Sequence, residues 1–271
     1  MTKRPDNKLL VAVDGSDRSI QTAQYLSDIN GFRTHEITFF HVFNKVPESY
    51  YDLAKEPASL KPFHSVFSWE KQQRDQIKNH MDQCRQLLLA ADFHPDRVKT
   101  AIQDRRTGIA RDIIAEARKG YDALVLRRRG MGRLRGLVIG SVAFKLLDRV
   151  GFTPLIFAGR KPFNHRILIA VDGSDNAMRA VAFAGEKLKG GNCHIKLLSV
   201  LRGDMGYRDA STQMEMHELF DEAERQISTF MEKARTRLIE AGFPSEAVTE
   251  QIIKHIPSRA AAIVQAANDG D

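Results

Sequence analysis

The stretch Lys8-Leu-Leu-Val-Ala-Val-Asp-Gly-Ser-Asp17 decides the fold of this chain, because it occurs twice. It returns, offset by 158 residues, as Arg166-Ile-Leu-Ile-Ala-Val-Asp-Gly-Ser-Asp175, and the segment Val-Asp-Gly-Ser-Asp is identical in both copies. Each copy is an aliphatic run that stops at an Asp-Gly pair, which is typical of a buried strand followed by a tight turn. The repeat predicts a duplicated domain within the 271 residues.

Matches further along the chain support the duplication at a second offset. Val98 corresponds to Val248, which is a separation of 150 residues. The difference of eight residues falls in a loop, because the first copy has a proline-containing stretch at 44–64 and the second has a shorter stretch near 202–213. A length change that is confined to a loop is what a repeated domain tolerates.

Alternating sequence patterns predict the fold class. Aliphatic runs alternate with amphipathic stretches in the first copy, in the order βαβαβαβαβ. The predicted strands are 9–13, 37–42, 98–102, 123–126 and 155–158, and the predicted helices are 17–30, 66–92, 109–119 and 141–150. This alternation indicates an α/β fold in which helices cover both faces of a doubly wound parallel sheet.

The second copy contains counterparts of the first part of this pattern. Its predicted strands are 167–171, 195–200 and 247–253, and its predicted helices are 213–241 and 258–267. We therefore expect a complete first domain at 1–159, a linker at 160–165 and a partial second domain at 166–271 that lacks the fourth and fifth strands. Such a sheet has an open edge, so we expect a truncated form of a longer protein; the alternative is that another chain supplies the missing edge.

The composition narrows the class of protein. With 42% hydrophobic and 28% charged residues, the chain is globular rather than disordered. Cys84 and Cys193 provide neither a disulfide framework nor a zinc site, and the nine histidines lack metal-ligand spacing. No apolar run reaches the ~20 residues that cross a bilayer, and the N-terminus does not resemble a signal peptide. We expect a cytoplasmic protein with no membrane partner and no required metal, in which Cys84 and Trp69 fill the core.

The residues that follow the first and fourth predicted strands form the candidate site. In an open parallel sheet, ligands bind beyond the carboxyl ends of the strands, where the strand order reverses. Asp14 follows the first strand, and its carboxylate suits ribose hydroxyls or a hydrated cation. Arg127 and Gly130 follow the fourth strand, and Gly140 and Ser141 begin a helix whose N-terminus attracts phosphate.

Each of these residues also has a purely structural interpretation. Asp14 can simply begin an Asp-Gly turn, Gly140 can be a turn glycine and Ser141 can be an N-cap. Val42 ends the second predicted strand, and we expect its backbone to meet an adenine edge while its side chain packs in the core. Because short glycine motifs often match by chance, the whole pattern carries more weight than any one position.

Five arginines lie within nine residues after the fourth strand, in a chain of net charge +7. They are Arg127, Arg128, Arg129, Arg133 and Arg135. A phosphate-binding or nucleic-acid-binding patch has this kind of charge, but no aromatic residue for base stacking is interleaved with the arginines. The segment favours a solvated loop and argues against a nucleic-acid partner.

Four segments together resemble a domain of the universal stress protein family: Ala12–Ser16, His41-Val42, Gly130-x9-Gly140-Ser141 and Thr153–Ile156. The resemblance covers 8–159 as a whole domain and 166–271 as a partial one, as in a tandem member. It implies strand order 3-2-1-4-5 and pairing of domains through their fifth strands. It also implies an ATP site formed by Asp14, Val42, Gly130, Gly140, Ser141 and the backbone of Val142.

One position departs from the family pattern. The ATP-binding members carry Gly-x2-Gly-x9-Gly-Ser/Thr, and the first glycine is Arg127 in this chain. An arginine there is strained if the backbone needs a positive φ. Its side chain either fills the phosphate site or folds over the phosphates, which a guanidinium recognises well.

The resemblance implies a stress-response protein that binds ATP or another phosphate-bearing nucleotide in its first domain, with Mg²⁺ as a possible companion. It implies a regulatory or scaffold role rather than rapid catalysis. One alternative is a structural pseudo-dimer, or a homo-oligomer, that binds protein partners and no nucleotide. Another is a weak ATPase or self-phosphorylating protein; the sequence places no general base, so no catalytic residue is assigned.

Overall fold

The structure is a computed structural model that describes residues 7–45, 60–127, 140–159, 164–202 and 210–269. The chain divides into two compact units, each built on its own parallel sheet. Unit 1 has strands β1 (Lys8–Ala12), β2 (Glu36–Phe43), β3 (Val98–Asp104), β4 (Ala123–Arg127) and β5 (Leu155–Ala158), and helices α1 (Arg18–Ser27), α2 (Leu60–Ala90), α3 (Ile109–Ala117) and α4 (Ser141–Arg149). Unit 2 has strands β6 (Arg166–Ala170), β7 (His194–Val200) and β8 (Val248–Ile253), and helices α5 (Asp175–Leu188), α6 (Ala210–Glu240) and α7 (Arg259–Asn268).

The sheet of unit 1 confirms the predicted fold class and strand order. Its five parallel strands lie in the order β3-β2-β1-β4-β5. β1 is central, so that Leu9 lies opposite both Ile37 of β2 and Ala123 of β4. The strand order reverses between β1 and β4, and the carboxyl ends of these two strands therefore flank the place where sheets of this type bind ligands.

Helices cover the sheet of unit 1 on both faces. On one face, α3 and α4 pack over β4 in a core that includes Ile113 and Leu146. On the other face, α1 packs against α2, which buries Met81 and Leu88. Because β1 is paired on both edges and covered on both faces, three successive side chains, those of residues 9–11, are fully buried.

Two side-chain predictions on α2 have different outcomes. Cys84 is fully buried, as its place on the apolar stripe predicts, and burial raises the pKa of its thiol to about 11. The prediction that Trp69 fills the core is wrong, because its side chain is 51% exposed near the start of the helix. The helix also begins earlier than predicted, at Leu60, because Pro62 lies in its first turn, where a missing N–H is tolerated.

Unit 2 repeats the first three strands of unit 1. Its parallel strands lie in the order β6-β7-β8, and its core includes Val181, Leu197 and Leu238. Helix α5 is not among the predicted elements, because its many alanines give a weak apolar periodicity. The linker predicted at 160–165 lies largely outside the described residues and stays a prediction.

The repeat extends to individual side-chain contacts. Arg85 Nε of α2 donates to the carbonyl oxygen of Val98 at 3.1 Å, at the start of β3. Arg235 of α6, 150 residues later, makes the same bond to the carbonyl oxygen of Val248 at 3.4 Å. Each arginine therefore fastens a long helix to the start of the third strand of its own unit.

Candidate functional site

The candidate site lies at the carboxyl ends of β1 and β4. Ala12 is the last residue of β1 and lies opposite Leu126 in the parallel register. Arg127, one residue further along β4, therefore lies at the level where the chain leaves β1 for the turn Asp14-Gly-Ser16. Helix α1 follows this turn directly, so a strand end, a turn and a helix start meet at this place.

Asp14 is held as an ionised hydrogen-bond acceptor. Its Oδ1 accepts the Ser16 amide at 3.1 Å and the Ser16 hydroxyl at 2.6 Å, and it lies 3.4 Å from the Ser19 hydroxyl. Burial opposes ionisation of this carboxyl group, but the hydrogen bonds from the two serines outweigh it and lower its pKa. The site thus presents a fixed negative charge at the end of β1 at neutral pH.

Gly15 is required by both conformation and packing. Its φ of +73° is in the left-handed region that favours glycine. A Cβ at this position would lie 2.7 Å from Cγ1 of Ile77 on α2. The turn therefore passes too close to α2 for any side chain, and this contact fixes its path.

Arg127 reaches from β4 to α1. Its Nη2 donates to the side-chain oxygen of Gln21 at 2.9 Å, and the residue is half-buried. Gln21 lies in the first half of α1, just beyond the Asp14 turn. The guanidinium that replaces the first glycine of the family pattern is thus fixed beside the β1–β4 crevice.

The remaining predicted site residues take two kinds of position. Gly140 is the N-cap of α4 with an extended backbone, no side chain caps that helix start, and Ser141 is its first residue rather than the cap. Val42 is 5% exposed in β2, and Val42 and Val142 belong to the core beneath α3 and α4. The predicted core role of the Val42 side chain is confirmed, whereas Gly130 lies outside the described residues.

His41 adds a titratable group beside the turn that the sequence analysis quotes as part of a motif but gives no role. Its Nδ1 lies 2.9 Å from the carbonyl oxygen of Val13 and donates to it when it carries the proton. Burial lowers the pKa of His41, although the Val13 bond and the charge of Asp14 oppose the shift. The ring therefore holds the end of β1 against β2 as a mostly neutral imidazole at neutral pH.

Asp112 is a buried charge that the sequence analysis misses. It is 4% exposed and accepts the amides of Arg106 at 2.8 Å and Thr107 at 3.1 Å. Burial opposes ionisation, but these bonds outweigh it and lower the pKa of the carboxyl group. An acidic residue in the first turn of a helix is the signal that indicates this role, and here it orders the loop between β3 and α3.

The corresponding turn of unit 2 shows which features are common to both copies. Asp172 accepts the Ser174 amide at 3.0 Å, and Gly173 has a φ of +82°. Hydrogen bonds from Ser174 lower the pKa of Asp172. The Asp-Gly-Ser turn by itself therefore does not mark a ligand site, and the distinguishing feature of unit 1 is the neighbouring β4 with Arg127.

Two classes of site receive no support from the described residues. In that part of the chain, no group of three or more His, Cys, Asp or Glu side chains is arranged to hold a metal ion. None of the helices described there combines the length and the hydrophobicity needed to cross a bilayer.

Solved structures show the same fold. A universal stress protein from Archaeoglobus fulgidus DSM 4304 is similar over 97% of this chain and 84% of its own, with a TM-score of 0.60 and 19% identity. A protein of unknown function from Pseudomonas aeruginosa PAO1 is similar over 99% of this chain and 80% of its own, with a TM-score of 0.55 and 15% identity. A putative universal stress protein from Pseudomonas aeruginosa UCBPP-PA14 gives 98%, 79%, 0.52 and 16% for the same quantities.

Comparison with curated proteins finds no match. A profile described as the universal stress protein family matches residues 7–153 and 164–271. The solved structures are too distant in sequence to show more than the fold, but the profile covers both copies and most of the chain. The repeated strand-turn-helix units and this match together lead to one conclusion: the chain belongs to the universal stress protein family.

Proposed function

We propose that unit 1 binds a phosphate-bearing nucleotide, with ATP as the first candidate, at the carboxyl ends of β1 and β4. The observation that carries this proposal is the pairing of two fixed charges there. Asp14 is an ionised acceptor at the end of β1, and Arg127 is a donor fixed by Gln21 at the end of β4. A nucleotide presents hydroxyl donors at one end and anionic oxygens at the other, so these two charges match its two ends.

The two ends of the ligand have different partners in this proposal. The Asp14 carboxylate accepts hydrogen bonds from the ribose hydroxyls, and the Arg127 guanidinium binds phosphate oxygens, with which it forms strong charge-assisted bonds. The amides at the start of α4, next to Gly140, add the positive end of a helix dipole. Any Mg²⁺ enters with the phosphates, because no metal-binding group of protein side chains is found among the described residues.

The Arg127–Gln21 bond supports a regulatory role rather than rapid catalysis. A phosphate that binds Arg127 competes with Gln21 for the guanidinium, so the ligand favours the state in which α1 is released from β4. A ligand shifts an equilibrium only through such differential binding to two states. The change in α1 then alters the surface that a partner protein meets, which is how a scaffold protein responds to nucleotide.

Alanine substitution of the two repeated aspartates tests the proposal. We expect Asp14→Ala to weaken ATP binding to the full chain by about tenfold or more, because a charge-assisted hydrogen bond is lost. Asp172→Ala is the matched control, since it changes the same turn in unit 2 and should leave the affinity unchanged. Isothermal titration calorimetry measures both, with urea unfolding to verify that each variant is folded; equal affinities for Asp14→Ala and the wild type contradict the proposal.

The same Arg127–Gln21 bond supports a second candidate, a structural member that binds partners but no nucleotide. In that case the guanidinium closes the site rather than serving it. The two candidates predict opposite effects of Arg127→Gly. Loss of ATP affinity by about tenfold supports nucleotide binding, whereas affinity that appears in the variant and is absent from the wild type supports the structural role.

A further inference from the structure

The open edge of β6 distinguishes unit 2 from unit 1 and is independent of the nucleotide proposal. β1 is hydrogen-bonded to β2 on one side and to β4 on the other. β6 is the counterpart of β1, and within the described residues it pairs with β7 alone. One edge of β6 therefore lacks a strand partner in that part of the chain.

The backbone groups at this edge are identified by the repeat. Along a parallel strand, alternate residues direct their N–H and C=O to opposite neighbours. The Val171 amide donates to the carbonyl oxygen of Leu198 on β7 at 2.8 Å. Residues 167 and 169 therefore face β7 as well, and the amides of Leu168 and Ala170 point to the open edge.

Unit 1 shows the same alternation with the edge filled. The Val13 amide donates to Phe40 of β2 at 3.0 Å, and the Asp122 amide at the start of β4 donates to the carbonyl oxygen of Lys8 at 2.8 Å. Leu10 and Ala12, the counterparts of Leu168 and Ala170, therefore face β4.

Side-chain burial agrees with an edge that lacks its cover. Leu10 is fully buried, whereas Leu168 is half-buried. On α7, Val264 is 59% exposed, while its counterpart on α3 packs in the core with β4 and α4. Ala267 is exposed although its counterpart Ala117 is 1% exposed. The uncovered surface is thus continuous with the open edge and corresponds to the surface that β4 and α4 cover in unit 1.

We infer that the β6 edge and the adjoining face of α7 bind a strand–helix segment of another polypeptide, which adds to the sheet as a parallel strand. The occupant has the chemistry of β4 and α4: a short aliphatic strand like Ala123–Arg127, followed by a helix with an apolar face. Unit 1 supplies the template, because the same chain binds such a segment at the equivalent edge. Main-chain hydrogen bonds give affinity in strand addition, and the alternate side chains give specificity.

The inference is tested with the full chain and a synthetic peptide of residues 121–158 as the probe, against a scrambled peptide of the same composition. Ala170→Pro removes an edge amide without touching the β7 ladder, and proline is tolerated at an edge. Ala170→Val is the matched control, because it changes the side chain and keeps the amide. We expect the wild type and Ala170→Val to bind the probe, and Ala170→Pro to bind it about tenfold more weakly or worse.

Hydrogen exchange gives a readout that nonspecific adhesion would not produce. The probe should slow exchange of the Leu168 and Ala170 amides, while the Ile169 and Val171 amides are protected with or without it. Equal binding of the probe and the scrambled peptide, or equal binding by Ala170→Pro and Ala170→Val, overturns the inference. A wild-type chain that is dimeric without the probe and becomes monomeric in Ala170→Pro also overturns it, because the occupant is then a second copy.

Discussion

Gly15 and Gly173 occupy the same turn in the two copies but differ in their surroundings. Both have a positive φ, of +73° and +82°. A Cβ at Gly15 would lie 2.7 Å from the Ile77 side chain, whereas at Gly173 the nearest atom, on Ile227, is at an ordinary contact distance of 3.4 Å. The conformation of the turn is therefore a property of the repeat, while the tight packing against the long helix belongs to unit 1.

Gly15→Ala should destabilise unit 1 by about 2–4 kcal/mol, the sum of left-handed strain and overpacking. Gly120→Ala is the control within the same unit, because Gly120 has a φ of +91° and no atom within 4 Å of an added Cβ. It should cost about 1 kcal/mol from strain alone. Urea unfolding monitored by circular dichroism gives both values, and equal losses would show that the contact with Ile77 relaxes freely.

The individual site residues differ in how far they could be predicted from the sequence. Asp14 and Gly140 interrupt apolar runs, and these local signals mark the end of a strand and the start of a helix. The partner of Arg127 could not be predicted, because Gln21 lies 106 residues away and meets it only through the β1–β4 pairing. His35 is expected at the surface as a polar residue near a loop, but it is 2% exposed, so tertiary packing overrides its composition.

At the scale of elements, each long helix is fastened to the end of a third strand by an ion pair of reversed sign. Arg74 of α2 pairs with Asp104 of β3. The positions 150 residues later are Glu224 of α6 and Lys254 after β8, and they pair as well. Because both charges are exchanged together, the contact persists while the identity of each residue is lost. A search for identical residues therefore misses it.

Exchanging the charges in unit 2 should reproduce the arrangement of unit 1. Glu224→Arg alone and Lys254→Asp alone should each lower the free energy of unfolding by about 0.2–1 kcal/mol, since these side chains are partly exposed to solvent. The double variant should regain most of the loss, because the attraction is restored. Urea unfolding of the four proteins at low salt measures the coupling; additive losses in the double variant would show that the pair contributes nothing to stability.

A second link between elements depends on pH. His80 of α2 lies 2.7 Å from the Asp17 carboxylate at the start of α1, and its Nδ1 lies 2.8 Å from the Gln76 carbonyl oxygen. The bond to Asp17 is the main cause that raises the pKa of His80 above its ordinary value. Stabilisation by the protonated pair is therefore full below pH ~6.5 and is lost as the pH rises through the raised pKa.

Asp17→Asn should remove this dependence. The difference in unfolding free energy between wild type and variant should be about 0.2–1 kcal/mol near pH 5.5 and should fall toward zero near pH 8. Histidine titration by NMR supplies an internal comparison, because the His80 pKa should be above the ordinary value and the His41 pKa below it. A His80 pKa that is unchanged by Asp17→Asn would rule out the pair as the cause.

At the scale of the whole molecule, the duplication made the fold predictable. The repeated Asp-Gly turns and the alternation of apolar patterns predict the parallel sheet of unit 1 and the three strands of unit 2, and the structure confirms both. Element boundaries move by a few residues, because helix ends such as Leu60 depend on backbone bonds rather than periodicity. The different burial of β1 and β6 could not be predicted from their matching sequences, because it depends on which strands lie beside them.

This difference between matching strands yields a prediction about proline. Ala12 and Ala170 are equivalent residues, and each follows an extended residue that is compatible with a following proline. The Ala12 amide faces β4, so Ala12→Pro should destabilise unit 1 by about 3 kcal/mol or more. The Ala170 amide faces the open edge of β6, so Ala170→Pro should cost less than about 1 kcal/mol. Urea unfolding of both variants measures the contrast, and an equal loss for the two would mean that the edge of β6 is already paired in the free protein.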